Sequence, residues 1–182
     1  MRSRTLQFVL LSASFPIVLS ADIIPVPGTQ SVGILFSASD VVCNCSVQSI
    51  SVTHEETVQA GRGQLVRKRE TAIVRVQELY KGDPAADSLL SVNFETETPT
   101  TRASLPSLSD SEVALLFLKK AASGYEFADP FLGATRFDKI PIANGGDGIF
   151  KLQSALTSII RAGDRSGNLR ALTLLQGMDV FS

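Results

Sequence analysis

The chain has no tryptophan, one histidine, two cysteines, two tyrosines and two methionines in 182 residues. One imidazole allows at most one histidine-centred site. Two thiols cannot build a structural zinc site alone, because such sites take four ligands. An excess of one charge is also missing: 17 Lys and Arg stand against 18 Asp and Glu, a net charge of −1 with a pI of about 5.8. That balance lacks the basic footprint of a dedicated nucleic-acid binder. Nor is there an unbroken apolar run of the roughly 20 residues needed to span a bilayer. What is present is a hydrophobic fraction of 44%, ordinary for a globular protein and against wholesale disorder. The length suits one domain, or one small domain with an appendage.

The first twenty residues have the three zones of a secretory leader. Arg2 and Arg4 open it, an apolar stretch from Leu6 to Leu19 follows, and Val18-Leu19-Ser20 supplies small or β-branched residues before Ala21. Ser12, Ser14 and Pro16 interrupt the apolar stretch, which argues for a cleaved signal rather than an anchor. Cleavage after Ser20 would make the product secreted or periplasmic, with no stable membrane span. It would also remove two of the 17 basic residues and none of the 18 acidic ones, leaving a mildly acidic chain.

Both cysteines lie in Cys43-Asn44-Cys45, within an apolar stretch of strand composition. An exported chain with an even cysteine count invites a disulfide. Flat-strand geometry opposes one: residues i and i+2 share a face with their Cα atoms about 6.5–7 Å apart, at the limit for a disulfide. Two half-buried thiols are therefore expected, and a bond would need a bulge or turn at Asn44. The alternatives are a strained redox pair, an intermolecular disulfide, or two soft-metal ligands lacking partners.

Residues 21–38 read as a linker and short leader, with Pro25, Pro27 and Gly28 followed by an apolar piece, Val32 to Ser39, of one or two helical turns. Asp40 to Val52 has strand composition, and the polar stretch His54 to Gly63 reads as a loop or hairpin tip. Gln64 to Tyr80 is one long strand whose Ala72, Val74 and Val76 share an apolar face, ended by the turn Lys81-Gly82-Asp83-Pro84. Leu89 to Phe94 is a third strand, and residues 95–111 form a polar crossing loop. The apolar run Val113 to Leu118 predicts a strand buried on both faces. Gly124 to Ala128 and Gly133 to Ile142 supply two more short strands. Short strands without intervening helices predict a mainly β fold, a small antiparallel barrel of five to six strands over residues 39–143.

The periodicity changes after Asn144-Gly145-Gly146-Asp147-Gly148. Ile149, Leu152, Leu156, Ile159 and Ile160 make one helical stripe, with Asp147 as cap and Gly163 as stop. Asp164 or Ser166 can cap a second helix with the stripe Leu169, Leu172, Leu175 and Met178. Residues 147–182 thus predict a two-helix extension whose apolar face must cover something.

Three patterns between Ser39 and Phe137 carry a family resemblance: Ser39-Asp40-Val41-Val42, the strand Val76-Gln77-Glu78-Leu79-Tyr80 ending in Lys81-Gly82-Asp83, and Ser111-Glu112 leading into Val113 to Leu118 before Gly124-Tyr125. This stretch resembles bacterial exported domains related to the netrin-like module, the OB-type barrel used by tissue inhibitors of metalloproteinases. The resemblance implies an OB-like barrel. It does not carry protease inhibition with it. In those inhibitors a Cys-x-Cys at the mature N-terminus meets the protease zinc, whereas Cys43 and Cys45 lie within the first strand, well beyond Ala21.

The chemistry on offer is thin. His54-Glu55-Glu56 groups the imidazole with two carboxylates and is the candidate metal set, but adjacent residues seldom converge on one ion. No Gly-x-Ser-x-Gly elbow accompanies His54. The Gly-rich run before the first long helix lacks the Lys-Ser/Thr of a phosphate loop, so it reads as a flexible join. Arg62, Arg67, Lys68 and Arg69 form a basic cluster offset by Glu55, Glu56 and Glu70, and Lys81-Gly82-Asp83 matches an integrin-binding tripeptide but is ordinary turn chemistry. No catalytic residue and no cofactor are assigned. The leading expectation is an exported, non-enzymatic interaction module with a protein partner in the envelope or extracellular space. The rivals are a metal-dependent or other hydrolase centred on His54 and, last, a protease inhibitor.

Overall fold

The computed structural model describes residues 32–60, 63–98, 107–130, 132–137, 139–141, 148–162 and 165–175. The expected leader at 1–20, the expected linker to residue 31, Arg62, Asn144 to Asp147, Gly163, Asp164 and Met178 lie outside them.

The described chain is mainly β. Its elements are α1 (Val32–Ala38), β1 (Val41–Ala60), β2 (Gly63–Lys81), β3 (Leu89–Thr98), β4 (Val113–Ala121), β5 (Gly124–Phe127), β6 (Ala134–Arg136), α2 (Gly148–Ala162) and α3 (Arg165–Leu175). The strands hydrogen-bond in the order β1-β2-β3-β5-β4, and β4 pairs back onto β1 from Val41↔Leu118 to Ser46↔Val113. The result is a barrel-like ring, with β6 added along β4. Every pairing is antiparallel except β3–β5, which is parallel and only two residue pairs long, Val92↔Tyr125 and Asn93↔Glu126.

Two apolar cores share the wall of this ring. Inside lie Val41, Cys43, Cys45, Val47, Ala72, Val74, Val76, Val92, Ala114, Leu116 and Leu118. Outside, Val42, Tyr80, Leu115 and Phe117 meet Val32 and Leu35 of α1, Leu152, Leu156 and Ile159 of α2, and Ala171 and Leu174 of α3. The side chains of β4 alternate between the two cores, which is why its run from Ala114 to Leu118 is buried throughout. The helical extension therefore packs on the ring instead of standing free.

The sequence reading needs four corrections. His54 to Ala60 is strand, not loop, because β1 and β2 stay paired to Ala60↔Gly63 and form a long arm. β3 runs on to Thr98 beside that arm. The last expected strand shrinks to Ala134–Arg136. In α3 Gly167, Ala171 and Leu174 are buried and Leu175 packs half-buried against the same core, while Leu172 of the expected stripe is exposed.

A further detail sets the geometry of β2. Its pairing with β1 slips between Val42/Cys43 and between Asn44/Cys45, leaving Tyr80 and Gln77 as extra residues on β2. The bulge at Gln77 reverses which face the strand presents. Val76 points into the ring, whereas Glu78 and Tyr80 belong to the helix-covered side.

Candidate functional site

Because β3 and β5 share only two residue pairs, they part beyond Asn93: β3 continues with β2 along the arm, and β5 turns away at Ala128 and Asp129. A cleft of about 800 Å³ opens at this split. Thr53 from β1, Arg69, Glu70 and Thr71 from β2, and Ser91, Asn93, Phe94 and Glu95 from β3 line one side. Ser123, Glu126, Phe127 and Pro130 line the other.

The cleft is preorganised by its own hydrogen bonds. Thr71 donates from Oγ1 to Asn93 Oδ1 at 2.8 Å, and Asn93 Nδ2 donates to the Ser123 carbonyl at 2.7 Å, which ties the β4–β5 turn to β3. Arg69 Nε donates to Glu95 Oε1 at 3.1 Å, and Thr96 Oγ1 to Glu70 Oε2 at 3.0 Å. The rings of Phe94 and Phe127 meet with centroids 5.6 Å apart and supply an apolar footing. From Phe94 to Thr98 the β3 backbone pairs, among the described residues, with β2 on one side only, so a row of main-chain donors and acceptors borders the cleft.

The candidate metal set does not converge. Strand alternation puts His54 and Glu56 on one face of β1 and Glu55 on the other. His54 Nε2 is 3.9 Å from Glu56 Oε2, with both side chains well exposed. Glu56 also faces Arg67 at 3.7 Å, and Glu55 pairs with Lys68 at 3.2 Å across the arm. Among the described residues no three His, Cys, Asp or Glu side chains gather as a metal site. The basic cluster is neutralised in the same way: Arg67 also reaches Glu97 at 3.1 Å, and this carboxylate raises the guanidinium pKa further. Lys81, from the Lys-Gly-Asp turn, donates to the Phe36 carbonyl at 2.7 Å and lies over the Phe36 ring, so it fastens the C-terminal end of α1.

Cys43 and Cys45 are fully buried rather than half-buried, on the interior face of β1, with their Sγ atoms 2.8 Å apart.

One polar cluster went unnoticed in the sequence. Glu78 is buried between ring and helix, where Lys151 of α2 reaches its Oε1 at 3.0 Å and the Tyr80 hydroxyl donates to its Oε2 at 2.9 Å. Asn44, its cross-strand partner, is buried too, and its Oδ1 accepts no hydrogen bond. Burial, then the Glu78 charge, pushes the Tyr80 phenol well above its ordinary range. A carboxylate two residues beyond Val76 on an apolar face was the available signal; such a charge needs either a partner or a bulge.

Comparison of the chain with protein-family models and with curated protein sequences finds no match.

Proposed function

We propose that this chain is an exported, non-enzymatic binding module that receives an extended segment of a protein partner in the cleft between β3 and β5. The observation that carries this reading is the β3 backbone from Phe94 to Thr98, half-paired among the described residues, beside the Phe94–Phe127 footing. An added strand draws affinity from main-chain hydrogen bonds and specificity from pockets for alternate side chains. The cleft offers both: an open strand edge, and hydroxyl, amide and charged side chains at fixed positions along it. The leader-like pattern before Ala21 supports a partner in the envelope or extracellular space. The netrin-like resemblance over Ser39 to Phe137 belongs to the same proposal, as a scaffold whose ring presents the edge and whose helices brace the opposite wall.

Selection of random peptides on the full chain tests this. Thr53 is exposed on the cleft rim, and Thr53→Trp narrows the cleft while keeping a residue at home in strands. Selected peptides should bind the variant at least about tenfold more weakly than the wild type. Peptides that bind both proteins equally would place the contact elsewhere, and turnover of a substrate by the purified chain would remove the non-enzymatic reading.

A further inference from the structure

The Cys43 and Cys45 sulfurs are 2.8 Å apart, far closer than two side chains on one face of a flat strand. Curvature brings them together. β1 pairs with β4 without interruption from Val41 to Ser46, while its pairing with β2 slips on both sides of the Cys43↔Leu79 and Asn44↔Glu78 pairs. Bulges bend and twist a strand pair locally, and side chains on the concave inner face converge. The requirement that a bond would place on the strand around Asn44 is thus met by its neighbour, β2. The two sulfurs stand closer than the roughly 3.7 Å that separates two thiolates each about 2.3 Å from one tetrahedral zinc.

We infer that Cys43 and Cys45 are a disulfide site, which oxidises to one intrastrand bond bridging Asn44 and fixing the curve of the strand that closes the ring. The oxidant is a small-molecule disulfide such as oxidised glutathione. One cysteine thiolate attacks it, forming a mixed disulfide and expelling one thiol. The second cysteine thiolate attacks the protein sulfur of that mixed disulfide and expels the other thiol. Two protein S–H groups lose two protons and two electrons, and the oxidant's S–S bond is reduced to two thiols.

The bond must form before the ring closes. In the folded chain neither cysteine has exposed surface. The hydrogen bond with Cys43, and then burial, hold the Cys45 thiol protonated far above its ordinary range. Exchange needs a thiolate and access to it. A closed ring disfavours the Cys45 thiolate and denies access to both sulfurs.

The test refolds the full reduced chain in buffers of reduced or oxidised glutathione, quenches with acid, and counts thiols by alkylation under denaturing conditions and mass measurement. After oxidised refolding, the expected product is a monomer on non-reducing gels, two hydrogens lighter, with no alkylated cysteine; reduced refolding should give two alkylated cysteines. Two alkylatable thiols, a glutathione adduct or a covalent dimer after oxidised refolding would each overturn the inference. Chain expressed in an oxidising compartment and purified without reductant gives a second readout: no free thiol is expected, and two free thiols would count against it. Oxidised glutathione added to already folded, reduced chain should act at least about tenfold more slowly than during refolding. Equal rates would show that the ring does not protect the pair.

Discussion

Lys151 of α2 places its ammonium 3.0 Å from the Glu78 carboxylate of β2, which is only 5% exposed. The pair joins the helical layer to the ring at the point where the Gln77 bulge turns β2 outward. Removing one partner from a buried ion pair leaves charge in a poor solvent, and that is costly even where the intact pair adds little. Lys151 retains 25% of its side-chain exposure, and Glu78 still accepts from Tyr80, so the penalty is below the maximum for a fully buried pair. Lys151→Met should lower stability by about 2–3 kcal/mol, read as a fall in the urea midpoint. Adding Glu78→Gln should recover part of the loss, because the neutral amide still accepts from Tyr80 without burying a charge. A double variant less stable than Lys151→Met alone would contradict this account.

The alternation of β4 between two cores separates two kinds of damage. Phe117 is fully buried on the helix side and Leu116 fully buried inside the ring. Phe117→Ala should cost about 3–5 kcal/mol, and Leu116→Ala about 2–5 kcal/mol. Hydrogen exchange distinguishes them beyond the totals. Phe117→Ala should speed exchange first in α2, over Gly148–Ala162, whereas Leu116→Ala should speed it first in β1 between Val41 and Val47. The same order of exchange in both variants would mean that the two cores unfold as one unit.

The parts of this fold that can be read from the sequence are those in which one side chain reports one environment. Ala72, Val74 and Val76 alternate as the inner wall of a ring should, and the run from Val113 to Leu118 announces a strand covered on both faces. Leu152, Leu156 and Ile159 mark the buried stripe of α2. The misread parts depend on a second strand. His54 to Ala60 looks like a loop because Glu and Gln are poor strand formers. In the structure Glu55 lies opposite Lys68 and Glu56 opposite Arg67, and such cross-strand pairs support the arm only once the register is known.

The same holds for the site. Nothing local to Asn93 says that β5 meets β3 for two residue pairs and then leaves, so the cleft was invisible. Flat-strand geometry puts Cys43 and Cys45 on the right face but at the wrong distance, because the curvature comes from bulges on β2. Gln77 carries no sequence mark of a bulge. Only the misplaced charge of Glu78 hinted at one.

Gly124 is where the β4–β5 turn approaches β3 most closely. Its φ is +97°, and a Cβ there would lie 2.6 Å from the Ser91 carbonyl oxygen. A left-handed φ disfavours any side chain, and this one would also strike backbone that cannot step aside without breaking the β3–β5 pairs. Gly124→Ala should cost about 2–3 kcal/mol and should weaken any ligand held in the cleft, because the Asn93–Ser123 tie depends on the same approach. Thermal unfolding with and without a selected peptide checks both effects. A variant as stable as the wild type would show that the turn can relax away from Ser91.

Tyr80 gives the fold an alkaline limit. Burial and the neighbouring Glu78 charge disfavour its phenolate, so its folded pKa lies well above the ordinary value of about 10. The unfolded chain therefore releases the phenolic proton first as pH rises. The stability contributed by neutral Tyr80 is complete below about pH 9 and is lost above about pH 10, at up to about 1.4 kcal/mol per pH unit. In the reduced chain Cys45 is shifted in the same direction and adds to the fall. Tyr80→Phe isolates the tyrosine, because every other group is common to the two proteins. At pH 8 the variant should be less stable by about 1.5–3 kcal/mol, having lost a hydrogen bond to a charged group. Between pH 9 and 11 the gap between the two proteins should narrow, as only the wild type still has a phenol to keep neutral. Urea midpoints measured across that range would refute the assignment if the gap stayed constant.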